Sequence, residues 1–187
     1  MTRLQLPDER ELTSEQGLVI SEVIAGRRGK VPAPMIAWLR NPELARRAQS
    51  LGELLRFETS LAPALSEIAI LVCARHWTSH HEWTAHKKIA LAAGVDPKTI
   101  EDIAAGRGPF VSGPGEDIVY QVSSTLLTKG NVPDALYQKG LVALGEIGMV
   151  ELVGILGYYS LVALTLNAFE IGLPENVAPE LSVQVRT

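Results

Sequence analysis

The side chains best suited to chemistry fall in one stretch: Glu67, then Ser79, His80, His81, Glu82 and His86, with Trp77 and Trp83 around them. Glu82 and His86 are four residues apart, so on a helix they share a face. A carboxylate one turn from an imidazole can hold the ring in one tautomer and orientation, which a proton-transfer catalyst requires. Glu67 stands among Leu65, Ile68, Ala69, Ile70 and Leu71, where an ionised carboxylate loses its hydration unless it finds a partner. His86 is therefore the candidate general acid/base, Glu82 its orienting partner and Glu67 a second proton-relay group. His81 is a candidate for orienting a substrate or binding an anion, and Trp77, Trp83, Ser79 and Trp38 are candidate substrate-binding residues.

Each of these residues also has a purely structural reading. Ser79-x-x-Glu82 is a capping box, which would make Glu82 part of a helix start. His80 on the same first turn reads as solvated. Trp77 and Trp83 could be packing anchors, and Glu67 could pair with Arg75. A metal held by His81, His86, Glu82 and Glu67 is chemically possible, but a Glu-x3-His spacing alone does not specify one, and neither a metal nor an organic cofactor is expected. The single cysteine, Cys73, excludes an intramolecular disulfide and a multi-cysteine metal site. Its apolar surroundings, residues 68–74, read as a buried position.

Helices must position these groups. Thr13 or Ser14 can cap a helix that runs to about residue 25 and stops at Gly26. Residues 26–34, rich in glycine and proline, read as a loop. Asn41-Pro42-Glu43 marks a second start, with a capping side chain, proline at the first helical position and an acid facing the dipole. That helix carries Leu44, Ala48, Leu51, Leu54 and Leu55 at helical spacing. Residues 65–76 are almost all apolar and read as a core helix, followed by a helix over 80–93 that ends at Gly94. Asp96-Pro97 opens a short helix ending at Gly106, and residues 107–115 form a loop. Helices over about 116–129, 133–144 and 146–169 follow, then an extended tail from Gly172. No alternation marks a sheet, and Val183-Gln184-Val185 is too short to change the class, so the chain is expected to be all-α. It contains no glycine-rich phosphate loop, dinucleotide fingerprint or nucleophile elbow.

Composition narrows the function. Apolar residues make up 47% and charged residues 20% of the 187, enough for one globular core. A net charge of −4 argues against a dedicated nucleic-acid binder. The apolar stretch at 152–169 is interrupted by Gly154, Gly157, Tyr158, Tyr159, Ser160, Thr165 and Asn167. It reads as a buried or subunit-facing helix and not as a membrane span. Nothing near the N-terminus resembles a signal peptide, so a cytoplasmic protein is expected.

The run Leu65-Ser66-Glu67-Ile68-Ala69-Ile70-Leu71, followed by Glu82-Trp83-Thr84-Ala85-His86 and Ala90-x3-Gly94, resembles the carboxymuconolactone decarboxylase family. Pro34-x3-Trp38-Leu39-Arg40-Asn41-Pro42-Glu43-Leu44 and Gly157-Tyr158-Tyr159-x6-Leu166-Asn167-Ala168-Phe169 resemble flanks of its longer members. The likeness spans about residues 30–170. It implies an AhpD-like helical domain, an orthogonal helix bundle. The expected division is an N-terminal helical arm (1–30), the family core (31–130) and a C-terminal helical hairpin with a tail (131–187). It also implies a homotrimer or homohexamer acting on a small molecule, with no nucleic-acid or membrane partner.

Two chemistries belong to that family. Its peroxide-reducing members resemble Cys-x2-Cys-x3-His with a glutamate twelve residues before the first cysteine. Here those positions are Ser79, Glu82, His86 and Glu67, so both sulfurs are missing, and serine and glutamate cannot cycle between dithiol and disulfide. Its decarboxylases resemble His-Glu-x3-His, which here is His81-Glu82-x3-His86, and they act without a cofactor on a carboxylated lactone. The resemblance thus implies a cofactor-independent lyase acting on a small carboxylate or lactone. The alternatives are a peroxidase or antioxidant protein, or a non-catalytic binding or scaffold oligomer.

Overall fold

The structure is a computed structural model, and it describes residues 2–8, 10–108, 113 and 115–182. These form helices α1 (Ser14–Ala25), α2 (Met35–Trp38), α3 (Pro42–Phe57), α4 (Pro63–Trp77), α5 (His80–Ala92), α6 (Pro97–Ala104), α7 (Glu116–Lys129) and α8 (Asp134–Ala168). No strand occurs among the described residues. The expected loop over 107–115 lies partly outside them, and Val183-Gln184-Val185 lies wholly outside them.

Local chemistry explains the helix starts. Thr13 Oγ1 accepts from the Gln16 amide (3.2 Å) and Gln16 Oε1 accepts from the Thr13 amide (3.0 Å), a reciprocal cap on α1. Asn41 Oδ1 accepts from the Leu44 amide (3.1 Å) ahead of Pro42, and Asp96 caps α6 ahead of Pro97 in the same way. The helix ends share another device. After α4, α5, α6 and α8 the chain turns through a left-handed residue, and the following amide bonds back to a carbonyl five residues earlier. Gly94 and Gly106 take that position after α5 and α6, as expected from the sequence. Thr78 (φ 50°) and Glu170 (φ 51°) take it after α4 and α8, where no glycine signals it.

α4 is the hub. Ten of its residues, from Ser66 to Arg75, are buried on every side, because α5, α6, α7 and α8 all pack against it. Burying one large aliphatic side chain is worth about 1.5–3 kcal/mol, so this helix anchors the core. α8 packs on α4, α7 and α3. It is long and apolar enough to pass for a membrane span, yet half of its apolar window is buried within the fold. Gly145 breaks its helical path (φ 69°, ψ 176°), between the two helices expected over 133–144 and 146–169.

Two local expectations fail. α2 is not foreseen: Pro32 and Pro34 precede a single helical turn that buries Met35, Trp38 and the following Leu39. On α3 the leucine spacing misleads. Leu44, Leu51 and Leu54 are exposed, and the buried face is Ala45, Ala48, Gln49, Gly52 and Leu55. Small residues are needed there because α8 comes close. A Cβ on Gly52 would lie 2.1 Å from the Tyr158 hydroxyl.

Candidate functional site

The α4–α5 turn sets the central geometry. Thr78, a β-branched residue held in the left-handed region, reverses the chain so that α5 lies against α4. Glu67 on α4 and His86 on α5 then meet across the interface. His86 Nδ1 donates to Glu67 Oε2 at 2.7 Å, and both residues are buried, 6% and 5% exposed. A short bond to a carboxylate fixes the ring, and with Nδ1 engaged, Nε2 is the nitrogen left for other chemistry. The Tyr159 ring stands edge-on to the imidazole, with centroids 5.0 Å apart.

Glu82 behaves differently from the expectation. Glu67, and not Glu82, accepts the His86 hydrogen bond, while Glu82 Oε2 is buried with no hydrogen-bond partner. The reason is directional. Side chains one turn apart run alongside each other, whereas Glu67 meets His86 across the α4–α5 interface. Burial pushes the Glu82 carboxyl well above the usual carboxylate range; the positive charge of Arg28 opposes this and the negative charge of Glu67 adds to it. The protonated form of Glu82 is thereby favoured relative to an exposed carboxylate. The capping-box reading is also not realised: Ser79 makes no side-chain cap on α5, and its Oγ is buried without a partner.

His86, Glu82, His81 and Trp38 all line one cavity of about 860 Å³. Its walls are the α1–α2 loop, the end of α3, one face of α5, and Tyr158, Tyr159, Val162 and Leu166 of α8. His81 Nδ1 donates to the Gly172 carbonyl (3.1 Å), which ties the tail to α5. Trp38 Nε1 donates to Thr165 Oγ1 (3.0 Å). Glu67 sits behind His86 and not on the wall.

The remaining expected residues lie elsewhere. Trp83 is core, with Nε1 directed at Glu180 (3.5 Å). Trp77 donates to Ser160 Oγ at 2.9 Å. Ser79, with His80 and again His81, borders a second cavity of about 350 Å³ beside the end of α8. Arg75 does not pair with Glu67; it donates to the Ser182 carbonyl at 2.9 Å. Among the described residues no group of three or more His, Cys, Asp or Glu converges as a metal site. Cys73 is fully buried against Ser160 Oγ (3.5 Å), and burial pushes its thiol up to about 12.

Sequence reasoning missed several cavity residues: Arg28, Arg56, Thr84, Tyr158 and Tyr159. The signal available was the pair of arginines beside Gly26 and the tyrosine pair after Gly157. Nothing local shows that these distant segments meet. At the cavity, Arg28 Nε, Glu82 Oε2, Thr84 Oγ1 and the Tyr159 hydroxyl are all buried without partners. Buried polar groups are normally satisfied, and here four unsatisfied ones belong to residues that line one cavity.

The fold is the AhpD-like all-helical fold. The chain is similar to a crystal structure described as an alkylhydroperoxidase AhpD core, an uncharacterized peroxidase-related protein from Ralstonia eutropha JMP134. The TM-score is 0.76, the sequence identity 14%, and the match covers 93% of each chain. No protein-family model matches the sequence, and no curated protein does.

Proposed function

We propose that this protein is a cofactor-independent lyase of the carboxymuconolactone decarboxylase type, acting on a small carboxylate or lactone by general acid/base chemistry. The observation that carries the reading is the buried His86–Glu67 pair behind a cavity wall that also bears the unpartnered carboxyl of Glu82. Glu67 holds the imidazole through Nδ1 and favours its charged form when a proton arrives at Nε2. Glu82, whose protonated form burial favours, is an alternative proton donor. In such a reaction the bond from the ring carbon to the carboxylate breaks and carbon dioxide leaves. Its electron pair passes into the conjugated lactone, and a proton from His86 or Glu82 is placed on carbon. Five cationic side chains on the cavity lining favour the anion that develops.

The peroxidase alternative draws support from the description of the R. eutropha neighbour, and the sulfur chemistry speaks against it. Ser79 and Glu82 stand where the thiols would be, and the thiol of Cys73, pushed up to about 12, is a poor nucleophile at neutral pH.

The test is a screen of carboxylated lactones and related small acids, read as carbon dioxide release without dithiol, metal or organic cofactor. Turnover that falls by about 10²–10⁴-fold in His86→Gln is expected. Turnover of peroxide with a dithiol donor that survives Cys73→Ala, with no carbon dioxide release from any acid, would reverse the ranking of the two readings. Absence of both activities alongside ligand binding would make the protein a binder.

A further inference from the structure

Among the described residues, the cavity is lined by five cations without an ion-pair partner, two of which, Arg27 and Arg56, stand over the Phe57 ring. Arg27, Arg28 and Lys30 come from the α1–α2 loop, Arg56 from the end of α3 and Lys88 from α5. Among the described residues none of these five is in an ion pair, whereas Arg3, Arg46, Arg47 and Arg107 each have a carboxylate partner. The only carboxyl group on the described lining is Glu82. An excess of unpaired positive charge facing a concave site focuses anions into it.

Arg28 is the best-placed of the five. Its Nη2 donates to the Tyr158 hydroxyl at 3.5 Å, and its Nε is buried without a partner. Tyr158 is itself seated on the bare Cα of Gly52. A Cβ there would lie 2.1 Å from the tyrosine oxygen and 2.7 Å from Arg28 Nη2, so only glycine lets the phenol and the guanidinium meet at this point. Nearby, the Tyr159 hydroxyl and Glu82 Oε2 also lack partners, on residues only 2% and 3% exposed. The charges of Arg28 and Arg56 both act on Tyr158 and Tyr159, which places the two guanidinium groups around the tyrosine pair. Besides the Nη2 bond to Tyr158, a guanidinium keeps further N–H donors in a planar fork suited to a carboxylate, a fit that an ammonium does not provide.

We infer that Arg28, held by Tyr158 over Gly52 and assisted by Arg56, anchors a carboxylate of the ligand and makes the cavity select small organic acids over their neutral counterparts. The anchored end lies against the α1–α2 loop. The rest of the ligand then lies toward Tyr159, Glu82 and His86, where the Tyr159 hydroxyl and a protonated Glu82 carboxyl could donate to a carbonyl or lactone oxygen. This deepens the proposed lyase reading and rests on it for the chemistry, but the anchor is measurable without turnover.

The test uses the full-length protein titrated with benzoate, with its neutral isostere benzamide, and with phenylphosphonate, followed by ¹H–¹⁵N NMR. Benzoate should saturate and shift the Arg28 Nε–H and the Tyr158 and Tyr159 amides, and benzamide should bind at least about tenfold more weakly. Arg28→Gln, with its fold checked by circular dichroism, should lose about tenfold or more in benzoate affinity, the scale of a lost charge-assisted hydrogen bond. Arg28→Lys should recover only part of that loss, and Tyr158→Phe should weaken binding while the arginine charge remains. Equal binding of benzamide, no saturable benzoate binding, or wild-type affinity in Arg28→Gln would overturn the anchor. Tighter binding of phenylphosphonate through Arg28 would overturn its assignment to a carboxylate. Failure of the anchor with His86-dependent turnover intact leaves the lyase reading standing. Arg28-dependent binding without any turnover removes the lyase reading alone.

Discussion

His86 and Glu67, nineteen residues apart in sequence and on different helices, share a 2.7 Å hydrogen bond in the buried seam between α4 and α5. Glu82, one turn from His86 on its own helix, makes no such bond through Oε2 and lines the cavity as a buried carboxyl group. The two carboxyl groups therefore stand in different surroundings: Glu67 is bonded to the imidazole, and Glu82 lines the cavity without such a bond.

That separation has a pH signature. Burial raises the Glu82 pKa in the folded chain above its unfolded value, so the folded state holds the proton more tightly. The contribution of this one group to stability is then full below an unfolded pKa of about 4.3 and is lost as pH rises through the raised folded pKa. Glu82→Gln should flatten this decline. Urea titrations at pH 5 and pH 8 should show the variant gaining stability relative to wild type at the higher pH. An equal loss at both values would mean that Glu82 is ionised and paired.

Gly52 is predicted to be intolerant despite its helical position. Alanine is the better helix former by about 1 kcal/mol, yet here its Cβ would overlap the Tyr158 phenol. Overpacking of this kind costs about 1–3 kcal/mol, so Gly52→Ala should destabilise. Adding Tyr158→Ala should cost less in the Gly52→Ala background than in wild type, and a double-mutant cycle in denaturant measures the difference. Strict additivity would mean that the two residues do not meet.

The exposed face of α8 carries Ile147, Val150, Val153, Leu161 and Leu164 at helical spacing, with Ile147 and Val150 69% and 72% exposed. We propose that this apolar stripe is the contact surface of the expected homotrimer or homohexamer. Light scattering at low micromolar concentration should give three or six times 20.2 kDa. Val150→Glu should shift the mass toward the single chain. A wild-type mass of 20.2 kDa would contradict the assembly.

The helices were legible because their ends are written locally: Asn41-Pro42, Asp96-Pro97, Gly94 and Gly106 each act through their immediate neighbours. The turn at Thr78 was not legible, since a threonine in the left-handed region is imposed by the packing of α4 against α5. On α3, leucine spacing pointed to the wrong face because the close approach of α8 selects Ala45, Ala48 and Gly52. The chemistry at Glu67, Glu82 and His86 was visible as residue types, but their pairing was not, because a local spacing rule favours the i,i+4 neighbour over a contact between helices. Arg28, Arg56 and Tyr159 come from three separate segments, and only the fold brings them to one cavity.

The most direct measurement is the low-field NMR signal of the His86 Nδ1 proton, assigned by its correlation to the ring nitrogen. A buried 2.7 Å bond to a carboxylate should shield this proton from exchange and move it downfield. The predicted result is a resolved signal in wild type that is retained in Glu82→Gln and lost or moved strongly upfield in Glu67→Gln. A signal that survives Glu67→Gln and disappears in Glu82→Gln would contradict the assignment of Glu67 as the residue that orients His86.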